Sequence, residues 1–196
     1  KHVFFDSDNT LWDFEQNSLE TLHEIYRDFE LQKHGIDDPS FFIKQYKTTN
    51  NEFWRMYREG EITKELLRIK RFEKTFSLFD INDPQLSEKT GLHYIDACPQ
   101  KANLYPGTFE ILEYLQSKYT LHIITNGFEE VQHVKLEKSG LISYFDEIIT
   151  SEQAGKLKPH PAIFDYALRA AKTNTDECIY IGDSVEVDLI LSLIHI

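Results

Sequence analysis

Cysteine is scarce in this chain, with Cys98 and Cys178 the only two among 196 residues. Two thiols cannot staple a small fold, and the apolar neighbours of each predict buried free cysteines, as in a reducing cytosol. Basic side chains are also few: 21 Lys and Arg stand against 33 Asp and Glu, for a net charge of −12. That balance argues against a protein that tracks a nucleic-acid polymer, which needs clustered Lys and Arg. It leaves room for a small anionic substrate held by a metal and one lysine. No apolar run reaches membrane-spanning length and no signal-peptide pattern opens the chain, so a cytoplasmic protein without a membrane partner is expected. Internal repeats and low-complexity segments are missing too.

What is there alternates between strand-like and helix-like stretches, which predicts an α/β fold of one domain or two small ones. Val3-Phe4-Phe5-Asp6-Ser7-Asp8-Asn9-Thr10 organises the rest. Its apolar start reads as a strand of a parallel sheet covered on both faces. The two carboxylates then fall at the carboxyl end, where open α/β sheets bind ligands. Taken alone, the same residues also suit a turn.

From about residue 14 to 100 the pattern is helical, with no strand. Leu19, Leu22, Ile25, Tyr26 and Phe29 define a first helix ending near Gly35. Asp37-Asp38-Pro39 opens a second, broken at Gly60, and Thr63 caps a third. Asp83-Pro84 starts a fourth that runs to about Cys98. The many aromatics here predict a helix-bundle core. After Tyr105-Pro106-Gly107 come three more strands, at 121–125, 145–150 and 178–181. A helix bearing Val131, Val134 and Lys138, stopped by Gly140, separates the first two of these. The stretch 151–160 reads as a loop, followed by a helix with Phe164 and Ala167.

Parallel strands bring their carboxyl ends to one edge. Asp6 and Asp8, Thr125 and Asn126, the segment around Lys158, and Asp183 thus converge. Three acidic side chains suit a hard Mg²⁺ ion. Thr125 and nearby N–H groups offer donors to phosphoryl oxygens, and Lys158 offsets their charge. Residue by residue the kit has bland readings: Lys158 alone reads as a surface lysine, as most are, Thr125 as a strand terminus, and Asp183 and Asp188 as acids at a helix N-terminus.

The order of these motifs resembles the haloacid dehalogenase superfamily over nearly the whole chain. The carriers are Phe5-Asp6-Ser7-Asp8-Asn9-Thr10, Ile124-Thr125-Asn126-Gly127, Lys158-Pro159-His160-Pro161 and Ile181-Gly182-Asp183-Ser184 with Asp188. The resemblance implies a doubly wound parallel sheet, residues 1–13 and 101–190, with an inserted helical cap, residues 14–100, that closes over the site. It implies Asp6 as nucleophile through an aspartyl-phosphate and Asp8 as the acid/base. An Asp at position 8 also separates phosphatases from the dehalogenases of the superfamily. Thr125 and Lys158 would hold the phosphoryl oxygens, with Asn126 and Gly127 beside them in the substrate site. Asp6, the backbone carbonyl of Asp8, and Asp183 would bind Mg²⁺, with Asp188 in support. Ser7 departs from the pattern, since its place is usually apolar.

At shorter range, Trp12-Asp13-Phe14-Glu15, Ile123-Ile124-Thr125-Asn126-Gly127-Phe128 and Ser151-Glu152-Gln153-Ala154-Gly155 are similar to the pyrimidine 5′-nucleotidase branch. A nucleoside 5′-monophosphate is the expected substrate, and a sugar phosphate or other small phosphometabolite the alternative. Monomer and homodimer both stay open. Residue 1 is Lys, so the first strand is expected to begin upstream. Residues 191–196 are what a sequencing adaptor encodes in one frame. They are expected to be a non-native tail, with the natural chain continuing past Ile190 into a fifth core strand.

Overall fold

The computed structural model describes residues 1–189, so the expectation for residues 191–196 lies outside the described residues. Its sheet is parallel, built from β1 (His2–Phe5), β2 (Thr120–Thr125), β3 (Glu147–Thr150) and β4 (Cys178–Ile181) in the order β3-β2-β1-β4. β1 lies inside the sheet, with Phe5 opposite Ile123 on one side and Ile181 on the other. Thr125 pairs with Thr150, so the ends of β2 and β3 are level.

Side chains alternate between the two faces of a strand, and both faces of β1 are apolar. Val3 and Phe5 pack with Leu121, Ile123, Leu112 and Leu136; Phe4 turns the other way, to Ile124, Ile149, Ile163 and Ala167. The first face is covered by α5 (Thr108–Gln116) and α6 (Glu129–Lys138), the second by α8 (Pro161–Ala170). This is the doubly wound arrangement that the resemblance implies, with β1 covered on both faces as its apolar run predicts. β4 is less covered, with Ile179 and Ile181 exposed. Both cysteines are free thiols, but only Cys98 is buried; Cys178 is half-buried on β4 and donates to the Asn174 carbonyl.

The chain divides into two compact units, Gln16–Cys98 and the remainder. The first of these is helical, with most of α1 (Phe14–Asp28), then α2 (Pro39–Arg58), α3 (Lys64–Ser77) and α4 (Pro84–Ala97). Local chemistry sets these starts. Asp38 accepts from the Ser40 N–H and Asp83 from those of Gln85 and Leu86, each before a proline at the first helical position. Thr63 accepts from Leu66.

Phe42, Phe72 and Phe76 are fully buried and Tyr46 nearly so, while Trp54, Tyr57 and Phe79 are only half-buried. α1 stops at Asp28, short of Gly35. Glu30 takes a left-handed conformation there (φ 49°), and a 3₁₀ turn, Leu31–His34, follows. That bend buries both Leu31 and Ile36 completely.

Candidate active site

The β1–β4 ladder runs one residue beyond β1, where the Asp6 N–H donates to the Ile181 carbonyl at 2.8 Å. The chain then turns back sharply. The N–H groups of Leu11 and Trp12 both donate to the Ser7 carbonyl, and Asn9 sits at φ 61°, a conformation Asn tolerates better than most residues. Asp6 and Asp8 are thereby held at the carboxyl edge of the sheet. Ser7 is buried between them, and its hydroxyl has no hydrogen-bond partner among the described residues.

Lys158 is not a surface lysine, for its side chain is 1% exposed. It follows α7 (Ser151–Ala154), a single turn that forms where the sequence suggested only loop. The cause is a capping box: Thr150 accepts from the Gln153 N–H while the Gln153 side chain accepts from the Thr150 N–H. The Lys158 ammonium meets Asp6 Oδ1 at 2.9 Å, Asp188 Oδ1 at 2.7 Å and Tyr180 Oη at 2.8 Å. Three donors thus find three acceptors, which is what permits a buried ammonium. Asp188 is fully buried and saturated as well. Oδ1 accepts from Lys158 and the Tyr180 hydroxyl, and Oδ2 from the Ser184 N–H.

Asn126 was expected beside the substrate, yet its side chain is engaged with the backbone of Lys158. Nδ2 donates to the Lys158 carbonyl at 2.9 Å, and Oδ1 accepts the Lys158 N–H at 2.7 Å. Thr125 is buried at the end of β2, where Oγ1 accepts the Gly127 N–H at 3.0 Å. Its own hydroxyl hydrogen is left to point at another acceptor.

The acidic side chains gather around Asp6. Carboxylate oxygens of Asp6, Asp183 and Asp188 lie within 4.8 Å of one another, Asp183 being the exposed member. The Asp8 carboxylate is drawn elsewhere: Oδ1 accepts from Lys135 at 2.7 Å and Oδ2 from Gln132 at 3.1 Å. Burial, reinforced by Asp188 and Asp8, pushes the Asp6 carboxyl up to about 7 against the opposing pull of Lys158. Asp183 is also raised, first by burial and then by Asp188. Three carboxylates against one ammonium leave excess negative charge that disfavours ionisation. A divalent cation with oxygen ligands would relieve it, so the residues present fit Mg²⁺.

Sequence reasoning missed Tyr180, Gln132 and Lys135. Tyr180 reads as an ordinary strand aromatic. On α6 the sequence reading named Val131, Val134 and Lys138, and the buried residues are Gln132, Lys135 and Leu136. The signal available was Gln and Lys spaced three apart, hence on one helix face, just after Thr125-Asn126-Gly127.

The haloacid dehalogenase-like hydrolase model matches residues 1–190, and the chain belongs to that family. It is therefore a hydrolase, and curated phosphatases are among its relatives. The chain is 32% identical over 189 residues to pyrimidine 5′-nucleotidase YjjG of Escherichia coli K12, covering 96% of this chain and 79% of YjjG. It is 28% identical to pyrimidine 5′-nucleotidase PynA of Streptococcus pneumoniae, covering 96% and 78%. Among solved structures, the magnesium-bound HAD-hydrolase YfnB from Bacillus subtilis superposes with a TM-score of 0.88 at 26% identity, covering 99% of this chain and 84% of YfnB. No helix among the described residues is long and apolar enough to cross a membrane.

Proposed function

We propose that this hydrolase is a cytoplasmic, Mg²⁺-dependent phosphomonoesterase that removes phosphate from pyrimidine nucleoside 5′-monophosphates. The observation that carries the chemistry is the Asp6–Lys158 contact of 2.9 Å inside the acidic cluster, with Asp8 two residues further on. Support for the nucleotide as substrate comes from the similarity to YjjG and PynA across nearly the whole chain.

In this reading a carboxylate oxygen of Asp6 attacks phosphorus, and the bond from phosphorus to the 5′ oxygen breaks. Asp8 gives its proton to that departing oxygen, leaving a neutral nucleoside and an aspartyl-phosphate. The Asp8 carboxylate then takes a proton from water as the water oxygen attacks phosphorus. Phosphate leaves, Asp6 regains its carboxylate, and Asp8 is protonated again. Lys158 steers Asp6 and, with the Thr125 hydroxyl, holds the phosphoryl oxygens. Mg²⁺, held by Asp6, Asp183 and the Asp8 carbonyl with Asp188 behind them, would supply positive charge against the transferring group. The helical segment 14–100 serves as the cap that senses the leaving group.

Asp6→Asn tests the chemistry, because the amide cannot form the acyl phosphate. Turnover of the purified variant is expected to vanish; retention of the wild-type rate would overturn the reading. A panel of nucleotides and sugar phosphates assayed with Mg²⁺ tests the substrate, with the pyrimidine 5′-monophosphates expected to show the highest kcat/KM.

A further inference from the structure

A helix packed on a sheet ordinarily turns its apolar residues inward, because burying polar groups costs free energy unless they are paired. α6 does so only in part: Leu136 packs into the core, but two polar residues share its buried side. Val131 and Val134 stay half-buried, while Gln132 and Lys135 point in and are 0% and 4% exposed. Both inward polar groups end on one side chain, the Asp8 carboxylate, and each takes a different oxygen. The surroundings are shaped to keep them there. The Lys135 ammonium lies 4.1 Å from the centre of the Trp12 ring, an aromatic wall on its far side. Gln132 fills the place where Gly127 has no side chain: a Cβ on Gly127 would stand 2.0 Å from Gln132 Nε2.

We infer that Gln132 and Lys135 form a two-point latch that orients the Asp8 carboxylate toward the departing oxygen, so both are positioning residues for the proposed acid/base. A carboxylate with one fixed oxygen still swings about its last bond; with both oxygens fixed it does not. Lys158 already serves Asp6, so Lys135 is not needed for the phosphoryl charge. Its contribution falls on proton transfer, and that contribution depends on the leaving group. A nucleoside or other alkyl phosphate must have its departing oxygen protonated, whereas p-nitrophenolate leaves unaided.

The inference rests on the function proposed above, and the test separates the two. Lys135→Met, Gln132→Met and Lys135→Arg are compared with the wild-type chain on a pyrimidine nucleoside 5′-monophosphate and on p-nitrophenyl phosphate. In the two Met variants kcat/KM for the nucleotide is expected to fall about 10²-fold, at least ~10-fold more than for the aryl ester. Lys135→Arg, which keeps a cationic donor, is expected to recover most of the loss.

A merely structural role lowers the folded fraction and scales both substrates alike, so equal losses overturn the inference. A rise in KM for both esters with kcat unchanged does so too, since it would make Lys135 a substrate contact. Should Lys135→Met fail to fold, the substrate ratio of Gln132→Met decides alone. A wild type inactive on both esters overturns the proposed function and this inference with it. An active wild type whose substrate ratio is unmoved by the substitutions overturns the inference alone.

Discussion

The side-chain amide of Asn126 brackets the backbone of Lys158, donating to its carbonyl at 2.9 Å and accepting from its N–H at 2.7 Å. An amide does this where no other side chain of its size can, since it offers one donor and one acceptor side by side. The contact ties the end of β2 to the segment before α8 and so sets where the ammonium emerges. Asn126→Ala leaves two backbone groups unmatched and is expected to cost about 2–3 kcal/mol of stability. It should also lower kcat by roughly 10- to 100-fold through a misplaced lysine. Asn126→Asp keeps the acceptor but sets lone pairs against the Lys158 carbonyl, so it should be the worse of the two in thermal melts and in rate. A rate for Asn126→Asp above that of Asn126→Ala would show that the donor is dispensable.

Gly182 illustrates a second constraint. A Cβ there would come 2.5 Å from Asp188 Oδ2 and 2.6 Å from Asp188 Cγ. Asp188 has little freedom to retreat, because Lys158, Tyr180 and the Ser184 N–H all hold it. Gly182→Ala is therefore expected to destabilise by about 1–3 kcal/mol, as overpacking does. It should reduce turnover more than Asn126→Ala does, since the displaced carboxylate carries Lys158 with it. Urea midpoints and steady-state rates on the same preparations check both statements.

The sheet and most helices were legible in the sequence because their signals are local. The apolar run Val3-Phe4-Phe5 before a pair of carboxylates reads as a two-faced strand, and Thr63, Asp38 and Asp83 mark helix starts by their own hydrogen-bonding chemistry. Asp6, Thr125, Lys158 and Asp183 were legible for another reason: parallel topology sends strand ends to one edge whatever lies between them. The destination of each side chain was not legible. Asn126 bonding Lys158, and Gln132 and Lys135 bonding Asp8, depend on angles between elements far apart in the chain. The pattern of α6 gave no sign that Gln132 and Lys135 share its buried side with Leu136. The short α7 was lost because Thr150 and Gln153 cap one another across a single turn, too brief for any periodicity to register.

His122 makes an acid-sensitive point in the sheet. It is buried on β2, stacked on Phe4 at 4.6 Å, with Nε2 3.0 Å from His2 Nδ1. Burial, aided by His2, lowers its imidazole to about 4 from an ordinary 6.5. The unfolded chain thus binds a proton between pH 6.5 and 4 that the folded chain refuses. The stability this residue permits is complete above 6.5 and is lost as pH falls through that window, at up to ~1.4 kcal/mol per pH unit. His122→Val should flatten the pH dependence of the urea midpoint between 6.5 and 4. Parallel wild-type and variant curves across that range would contradict the assignment.

The acidic cluster should make the active site a source of instability when no cation is bound. The Asp6 carboxyl sits at about 7 rather than 3.8, chiefly through burial, so the folded state favours its protonated form. For an acid raised in this way, the stabilising contribution is present below pH 3.8 and lost as pH rises to 7. At pH 7.5 in EDTA, then, Asp6→Asn is expected to be the more stable protein by ~1–3 kcal/mol, although it turns over nothing. Mg²⁺ should reverse the order, raising the wild-type Tm by preferential binding to the folded state while shifting the variant less. Calorimetric melts of both proteins, with EDTA and with Mg²⁺, check each step. A wild type that melts above Asp6→Asn in EDTA, and that Mg²⁺ leaves unmoved, would mean that Lys158 already balances the cluster and that these carboxylates are not a cation site.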